Sequence, residues 1–451
     1  MSVKLPVIPG MSGTRDWGYP QSVKGTFMTL RRWAFLGLHV VLFAGPWVTM
    51  NGHALFLVDL PSRHVYLCGT IFTPSDTIFL ALLLFFLVFA LFFFTAIFGR
   101  IWCGYACPQT VFLESWIRPI EIWIEGDRTQ RKRRDAAGFT FDLVWRKLAK
   151  WSVFGAVSFM LGMAIMSLFA GARPLWTGQA SGVSYALVAV ISAAWYIDFM
   201  WFREQFCIYL CPYARFQSAM TDAETLLVSY DESRGEPRDK SRGPEGGCIG
   251  CQKCVVVCPQ GIDIRDGFQL ECIQCARCID ACESVMGKFD QPTLVRYSSI
   301  TADEGGKQRK FRPRTIIYGG LMTALTASAI VLLVGRVPFE ATVNRAPGTL
   351  YQVDADGYVR NTYLLKITNN EPTDADVDYF VRLDGLDGAQ LLTQRVTLGS
   401  EETKTVPLII RMAPSDDLAR TIPFLVEIAS PSAELLLPTT FKTPAEIGGG
   451  G

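Results

Sequence analysis

The sequence predicts a mainly α-helical polytopic membrane protein of about five spans, with a small cysteine-rich module before the last span and a C-terminal β-sandwich. Three observations predict this architecture: five long apolar runs, twelve cysteines in short regular spacings, and a final stretch of short alternating segments. Half of the 451 residues are hydrophobic, which is typical of a membrane protein rather than of a large soluble enzyme.

The apolar runs come first, because each is about as long as the roughly 20 residues that a spanning helix requires. They lie near 33–50, 76–98, 151–171, 183–202 and 315–335. The first contains Gly45-Pro46, which spanning helices tolerate. The first thirty residues show no apolar core followed by a cleavage site, so the first run is expected to stay as an anchor.

The Lys and Arg residues predict the orientation of the chain. They precede span one, fill the loop after span two and precede span five, whereas the loops after spans one and three carry only Arg63 and Arg173. The positive-inside rule then puts the N-terminus and the 203–314 loop in the cytoplasm and the C-terminus outside a bacterial inner membrane. Lys and Arg number 43 against 42 acidic residues, so no nucleic-acid partner is indicated.

The 203–314 loop holds two consecutive cysteine motifs, CxxCxxCxxxCP from Cys248 and CxxCxxCxxxC from Cys272. This spacing is typical of bacterial ferredoxins with two [4Fe-4S] clusters, in which the fourth cysteine of each motif ligates the other cluster. The crossed assignment defines set one as Cys248, Cys251, Cys254 and Cys282, and set two as Cys272, Cys275, Cys278 and Cys258. A pair of zinc sites is the alternative, but zinc sites use two CxxC knuckles.

A second cysteine pattern occurs twice, 104 residues apart by position, just after spans two and four. The first motif is CGYACPQTVF and the second is CIYLCPYARF, and both read CxYxCPxxxF. Their cysteines, the membrane-edge cysteines, are Cys103, Cys107, Cys207 and Cys211. Four cysteine sulfurs could bind Cu(I) or an iron–sulfur centre. The alternative is that these cysteines are only small, buried hydrophobic residues that help the helices to pack. The repeat favours a metal-binding or redox role.

The C-terminal stretch from Val337 has short strand-like segments at Tyr363 to Thr368, Asp378 to Leu383, Thr405 to Arg411 and Phe424 to Ile428. Turn pairs such as Asp356-Gly357 separate them. Regular short strands with such turns predict an immunoglobulin-like sandwich of about seven strands. The stretch contains no Cys or His, which favours a docking or structural role.

Four weaker features remain. Asp198 lies inside span four, where an ionisable side chain indicates function unless it pairs with Arg203. His39 lies inside span one without a second intramembrane His, which argues against a two-His heme. Glu114 to Glu125 resembles an interfacial anchoring helix. Cys68 is the one cysteine outside the motifs.

Taken together, the chain resembles the cytochrome c oxidase accessory protein family over nearly its whole length. The resemblance rests on WCGYACPQTVFLE at 102–114, CIYLCPYARFQ at 207–217, GIDIRDGFQLECIQCARCIDAC at 261–282 and NRAPGTLY at 344–351. It implies a membrane ferredoxin that takes part in assembly of cbb-type oxidases and reduces Cu(II) to Cu(I). The sequence departs from the usual ferredoxin pattern at Glu283, because a Pro usually follows the last cysteine of the motif.

The expected domains are 1–32 (cytoplasmic segment), 33–214 (four-helix membrane domain), 215–314 (ferredoxin-like domain), 315–336 (fifth span), 337–447 (periplasmic sandwich) and 448–451 (Gly tail). Three functions stay open: a cupric reductase with copper bound transiently by the membrane-edge cysteines, a respiratory conduit to or from quinone with a further metal centre there, and a non-catalytic assembly scaffold. The expected partners are copper, a cytosolic electron donor, and a copper export ATPase or oxidase assembly factors. A homodimer is compatible with the five spans.

Overall fold

The structure, a computed structural model, describes residues 19–444 apart from 51–52, 139, 310, 372–374 and 414–418. The predicted Gly tail at 448–451 and the first 18 residues of the predicted N-terminal segment lie outside the described residues. The chain divides into two compact units. The first combines Ala81–Thr326 with the described residues before Pro46, and the second combines Pro46–Leu80 with the residues from Ala327 onward.

Five helices in the described residues are long and apolar enough to cross a membrane, as the sequence predicts. They are Thr26–Trp47, Thr77–Phe98, Phe141–Ala170, Gly182–Phe202 and Pro313–Val334. The first and third begin earlier than their apolar runs. The third starts at Phe141 because Thr140 caps it by accepting a hydrogen bond from the Leu143 amide at 3.3 Å, and its charged first turns continue the same helix.

Both membrane-edge motifs follow a span directly and change the helix direction at a proline. The first motif forms helices Ile101–Tyr105 and Pro108–Phe112, and the second forms a π-helical turn Phe206–Leu210 and helix Pro212–Met220. Pro108 and Pro212 stand at the first position of their helices, where the missing amide proton costs nothing. Cys107 and Cys211 are the extended residues just before them.

The segment after the first motif is a π-helical turn, Leu113–Ile117, followed by helices Arg118–Glu125 and Arg128–Ala136. It differs from the expected interfacial helix, since its charged residues Glu114, Arg118, Glu121 and Glu125 are buried. Trp123 is 81% exposed, while Phe112 and Ile117 lie in an apolar core with Phe154 and Phe199 from spans three and four. The 113–125 segment therefore packs through both its charged and its apolar residues.

The cysteine-rich module is built on one antiparallel strand pair, Leu227–Tyr230 with Val295–Ser298. Its helices are Glu232–Gly235, Lys253–Val256, Arg277–Met286 and Ile300–Asp303, with 3-10 turns at Lys240–Arg242, Ile264–Asp266 and Gly287–Phe289. A core of Val228, Tyr230, Ile264, Ile279 and Met286 lies between the strands and the cysteine loops.

The module belongs to the same compact unit as spans one, three and four. The Asp280 carboxylate accepts hydrogen bonds from the amides of Phe27 at 3.1 Å and Met28 at 2.8 Å, in the first turn of span one. A carboxylate at this position accepts hydrogen bonds from amides that have no partner within the helix. Its negative charge also interacts favourably with the positive end of the helix dipole. A Cβ on Gly25 would lie 2.3 Å from the Asp280 side chain, so this contact requires glycine at position 25.

The second unit contains the sandwich. One sheet has strands in the order Ala389–Leu391, Thr403–Met412, Val359–Asn369 and Phe339–Arg345, with Gln352–Val353 also paired to Val359–Asn369. The other has the order Arg395–Leu398, Val377–Asp384, Thr421–Ala429 and Glu434–Lys442. Alternate residues of Val359–Asn369 are buried, as expected of a strand with one core face. The four predicted strand segments lie within four of these strands.

The loop after span one belongs to the same unit. It forms a three-stranded sheet, Phe56–Asp59, His64–Leu67 and Thr70–Phe72, beside a short pair, Thr49–Met50 and His53–Ala54, before the 3-10 turn Pro74–Asp76. Arg336, at the end of span five, forms an ion pair with Asp76 at 2.6 Å. Cys68 is exposed in this loop and lies in a different unit from the other twelve cysteines.

Candidate functional site

The two ferredoxin-like motifs adopt the same backbone conformation around their first cysteines. Gly250 and Gln252 in the first motif, and Gln274 and Ala276 in the second, have φ between 54° and 68°. Left-handed backbone is uncommon outside glycine and concentrates at functional sites. Each left-handed pair is followed at once by a short helix, Lys253–Val256 or Arg277–Met286. Both cysteine loops therefore turn tightly in the same way.

The cysteines of these motifs line two separate cavities. One cavity is lined by Cys248, Cys251, Cys254 and Cys282, which are the members of set one. The other is lined by Cys258, Cys272, Cys275 and Cys278, the members of set two, together with Cys254. The structure thus brings together the cysteines that the crossed assignment groups. Their role as ligands stays a prediction.

The chemistry of the two sets fits iron–sulfur clusters. Burial raises the pKa of Cys254 and of Cys272 to about 12 and that of Cys258 to about 11, so each thiol would hold its proton without a metal. Thiolate ligands need the positive charge of bound iron. Within the described residues no group of three His, Cys, Asp or Glu side chains already has metal-binding geometry, so the fit rests on the cavity linings and the donor type.

The membrane-edge cysteines of the two motifs affect one another's pKa. Burial raises the pKa of Cys207, and the charges of Cys107, Cys103 and Cys211 raise it further. For Cys103 burial raises the pKa to about 11, with the charges of Cys107 and Cys211 acting in the same direction. Each effect crosses from one motif to the other. A joint metal site of the four cysteines stays a prediction, because no group of three such side chains among the described residues already has metal-binding geometry.

The first motif packs directly on the set-two loop. Cys103, Ile273 and Cys275 form a small buried core of their own. A Cβ on Gly104 would lie 2.6 Å from the Ile273 carbonyl oxygen and 3.0 Å from the Cys275 Cα, so only glycine allows this approach. The Cys103 sulfur donates to the Gln217 Oε1 at 3.1 Å. This hydrogen bond joins the first motif to helix Pro212–Met220, in which the second motif ends.

Asp198 and Arg203 both contact the segment that contains and follows the first motif. The Gln109 amide donates to the Asp198 carboxylate at 2.7 Å and to the Arg203 carbonyl at 3.0 Å. The Arg203 guanidinium instead pairs with Glu121 at 2.6 Å. Gln109 lies within the first motif, so these contacts fix that motif against the residues just before the second motif. The His39 ring packs against Phe43, Phe112 and Trp116.

A buried charge network beside the cysteines was missed by the sequence analysis. Arg277, next to Cys278, pairs with Glu114 at 2.7 Å, and both side chains are 4% exposed. Burial would raise the pKa of Glu114, but the charges of Arg118, Arg277 and Arg31 lower it to about 2. The sequence did carry a signal for this network: acidic and basic residues recur at three- and four-residue spacing in 114–125. Residues at that spacing share one face of a helix and can form ion pairs there.

Comparisons with known proteins agree with this organisation. Three family models match: a 4Fe-4S binding domain at 79–128, a 4Fe-4S dicluster domain at 202–300, and the immunoglobulin-like fold at the C-terminus of FixG at 329–444. Protein RdxA of Cereibacter sphaeroides is 36% identical, covering 78% of this chain and 79% of its own length. Nitrogen fixation protein FixG of Rhizobium meliloti is 34% identical, and the match covers 86% of this chain and 85% of FixG. Protein RdxB of Cereibacter sphaeroides is 36% identical, covering 79% and 80%.

Proposed function

The chain belongs to the FixG and RdxA family of membrane iron–sulfur proteins associated with cbb-type oxidases, and from this premise we propose that it reduces Cu(II) to Cu(I) during oxidase assembly. The membrane-edge cysteines are the proposed copper site, and the ferredoxin-like module is the proposed electron supply. The observation that carries the proposal is the buried contact between Cys103 of the first motif and Ile273 and Cys275 of the set-two loop.

This contact matters because electron transfer requires a short path between donor and acceptor sites. The Gly104 backbone meets the Ile273 carbonyl and the Cys275 backbone without an intervening side chain. The buried Arg31 side chain donates to the Gly104 carbonyl at 2.9 Å and fixes that peptide. The chain therefore holds the two sites in direct contact through packed backbone. When bound, the two clusters supply one-electron oxidation and reduction.

The substrate chemistry follows from the ligand type. Four sulfur donors favour Cu(I) over Cu(II), because soft thiolates prefer the softer ion. A site that binds the product more tightly than the substrate stabilises copper after it accepts an electron. Each Cu(II) takes one electron from the reduced module, and release of Cu(I) then needs a thiol-bearing acceptor. We propose a copper export ATPase or an oxidase assembly factor as that acceptor.

The proposed sidedness follows the distribution of Lys and Arg. It places all twelve motif cysteines at the cytoplasmic face and the sandwich in the periplasm. Membrane-impermeant thiol reagents applied to intact cells should then leave the membrane-edge cysteines unmodified and should modify Cys68, which is exposed in the second unit. Labelling of the membrane-edge cysteines from outside would contradict this orientation.

The central experiment uses the purified full chain, reduced anaerobically with dithionite and freed of excess reductant. Addition of Cu(II) should reoxidise the clusters and yield Cu(I), one for each electron lost. A variant with Ser at all four membrane-edge positions should keep both clusters but lose stoichiometric copper reduction. Cys68→Ser is the matched control and should behave like the wild type. Equal copper reduction by the four-serine variant would refute the proposed site.

A second function is favoured by one specific observation: matches to 4Fe-4S family models extend over the first motif at 79–128 and the second within 202–300. In this alternative the membrane-edge cysteines hold a further iron–sulfur centre, and the protein exchanges electrons with quinone. Iron in excess of two clusters, lost in the four-serine variant, would support the alternative. Reoxidation by a quinone analogue but not by Cu(II) would support it further.

A further inference from the structure

Arg100 connects the membrane-edge cysteines to the ferredoxin-like module. It follows span two and precedes Cys103 by three residues. Its guanidinium donates to the Leu270 carbonyl, two residues before Cys272 of set two, and its own carbonyl accepts a hydrogen bond from the Cys103 amide at 3.0 Å. Arg100 is only 4% exposed. One buried cation therefore contacts both regions.

Packing brings the same residue close to both sites. Cys103, three residues after Arg100, lies in a small buried core with Ile273 and Cys275 of the set-two loop. The Arg100 hydrogen bond to Leu270 ends two residues before Cys272. Because the side chain is buried, solvent screens its charge little.

Two other buried arginines near the cysteines pair with carboxylates, whereas Arg100 does not. Arg265 lines the set-one cavity but pairs with Asp263 at 2.6 Å. Arg203, which precedes the second motif, pairs with Glu121 at 2.6 Å. In the described part of the chain no carboxylate pairs with Arg100, and its buried Nε has no hydrogen-bond acceptor. Arg100 is therefore a buried guanidinium that no carboxylate pairs with in the described residues.

We propose that Arg100 is a positioning residue whose charge is shared by the membrane-edge site and the set-two cluster, and that it raises the reduction potential of that cluster above that of the set-one cluster. Reduction adds a negative charge, which a nearby buried cation stabilises. At the set-one site Asp263 offsets the charge of Arg265. Lys253, which also lines that cavity, is exposed, so solvent screens its charge. The resulting difference favours residence of the electron next to the first motif. The inference deepens the proposed function by assigning the direction of internal electron transfer.

The test is an anaerobic redox titration of the purified full chain in detergent, followed by electron paramagnetic resonance in the absence of copper. Arg100→Gln should lower the midpoint potential of one cluster by about 59 mV, which corresponds to a tenfold change in its one-electron reduction constant. Arg100→Lys keeps the charge and should preserve the wild-type potentials. The paired variant Asp263→Asn with Arg265→Gln removes no net charge and should leave the difference between the clusters in place.

Two outcomes would overturn the inference. Unchanged potentials in Arg100→Gln, at full iron and sulfide content, would show that the charge does not act on the cluster. If Arg100→Gln loses its clusters, Arg100→Lys decides: wild-type potentials support the inference, and a lowered potential contradicts it. These readings are made without copper, so they stand whether or not Cu(II) is the substrate, and failure of the copper assay alone would refute only the proposed function.

Discussion

Replacement of Gly104 by Ala tests the contact through which we propose that electrons reach copper. The new Cβ would lie 2.6 Å from the Ile273 carbonyl oxygen, whereas ordinary contacts begin near 3.4 Å. The two backbones would have to separate by about 0.8 Å, the difference between these values. Overpacking of this kind costs about 1–3 kcal/mol, and a misplacement of about 1 Å can slow a reaction by roughly a hundredfold.

The assay is stopped-flow reoxidation of the dithionite-reduced protein by Cu(II). Gly104→Ala should slow it by about tenfold to a hundredfold, while reoxidation by ferricyanide, which needs no membrane-edge site, should change little. Gly287→Ala is the matched control. Gly287 lies in the same module, and a Cβ added there would meet no neighbouring atom within 4 Å, so this variant should react like the wild type.

One result would refute the reasoning about Gly104. If Gly104→Ala keeps the wild-type rate with Cu(II) and the wild-type melting temperature, the first motif and the set-two loop do not approach as closely as described. A rate decrease shared equally by Gly287→Ala would assign the effect to general destabilisation of the module.

Three further predictions concern the ligands and the buried charges. Cys258→Ser should alter the spectrum of the cluster bound by the second ferredoxin motif, although Cys258 belongs to the first; a change confined to the other cluster would contradict the crossed assignment. Arg277→Gln leaves Glu114 buried without its partner and should lower the free energy of unfolding by about 3–5 kcal/mol, measured by thermal unfolding. The Arg296 side chain is 46% exposed, so Arg296→Gln should lower the same free energy by about 1 kcal/mol or less. The pKa of Glu114 and of Glu121 is lowered to about 2 from 4.5 by neighbouring arginines, against burial. Their stabilising contribution should therefore be complete above pH 4.5 and decrease as the pH falls toward 2, and Glu114→Gln should weaken that decrease in melting-temperature scans.

Local spacing predicted the parts of the site that depend on neighbouring residues. The CxxCxxCxxxC motifs gave the two cysteine sets that line the two cavities. The CxYxCPxxxF repeat predicted a metal-binding or redox role for Cys103 and Cys207, and that role stays a prediction. The apolar runs predicted the five candidate spans. These features are encoded within short stretches of chain, so periodicity and motif spacing can detect them.

Contacts between distant parts of the chain could not be predicted in this way. Arg277 and Glu114 are 163 residues apart, and nothing in either local sequence identifies the other as its partner. Gly104 reads as an ordinary residue of the first motif until the Ile273 carbonyl is known to lie against it. The role of Arg100 likewise depends on the Leu270 carbonyl. Tertiary packing, rather than local pattern, decides which charges are buried and paired.

The hydrogen bonds from Phe27 and Met28 to Asp280 have a consequence for biogenesis. The cap on the first helix is supplied by a residue about 250 positions later in the chain, flanked by Cys278 and Cys282. At about 5–20 residues per second, roughly 10–50 s of translation separate the two. The cap of the first candidate span is thus completed late, once the segment that carries the predicted cluster ligands has been made. The end of that helix then depends on folding of the cysteine-rich module.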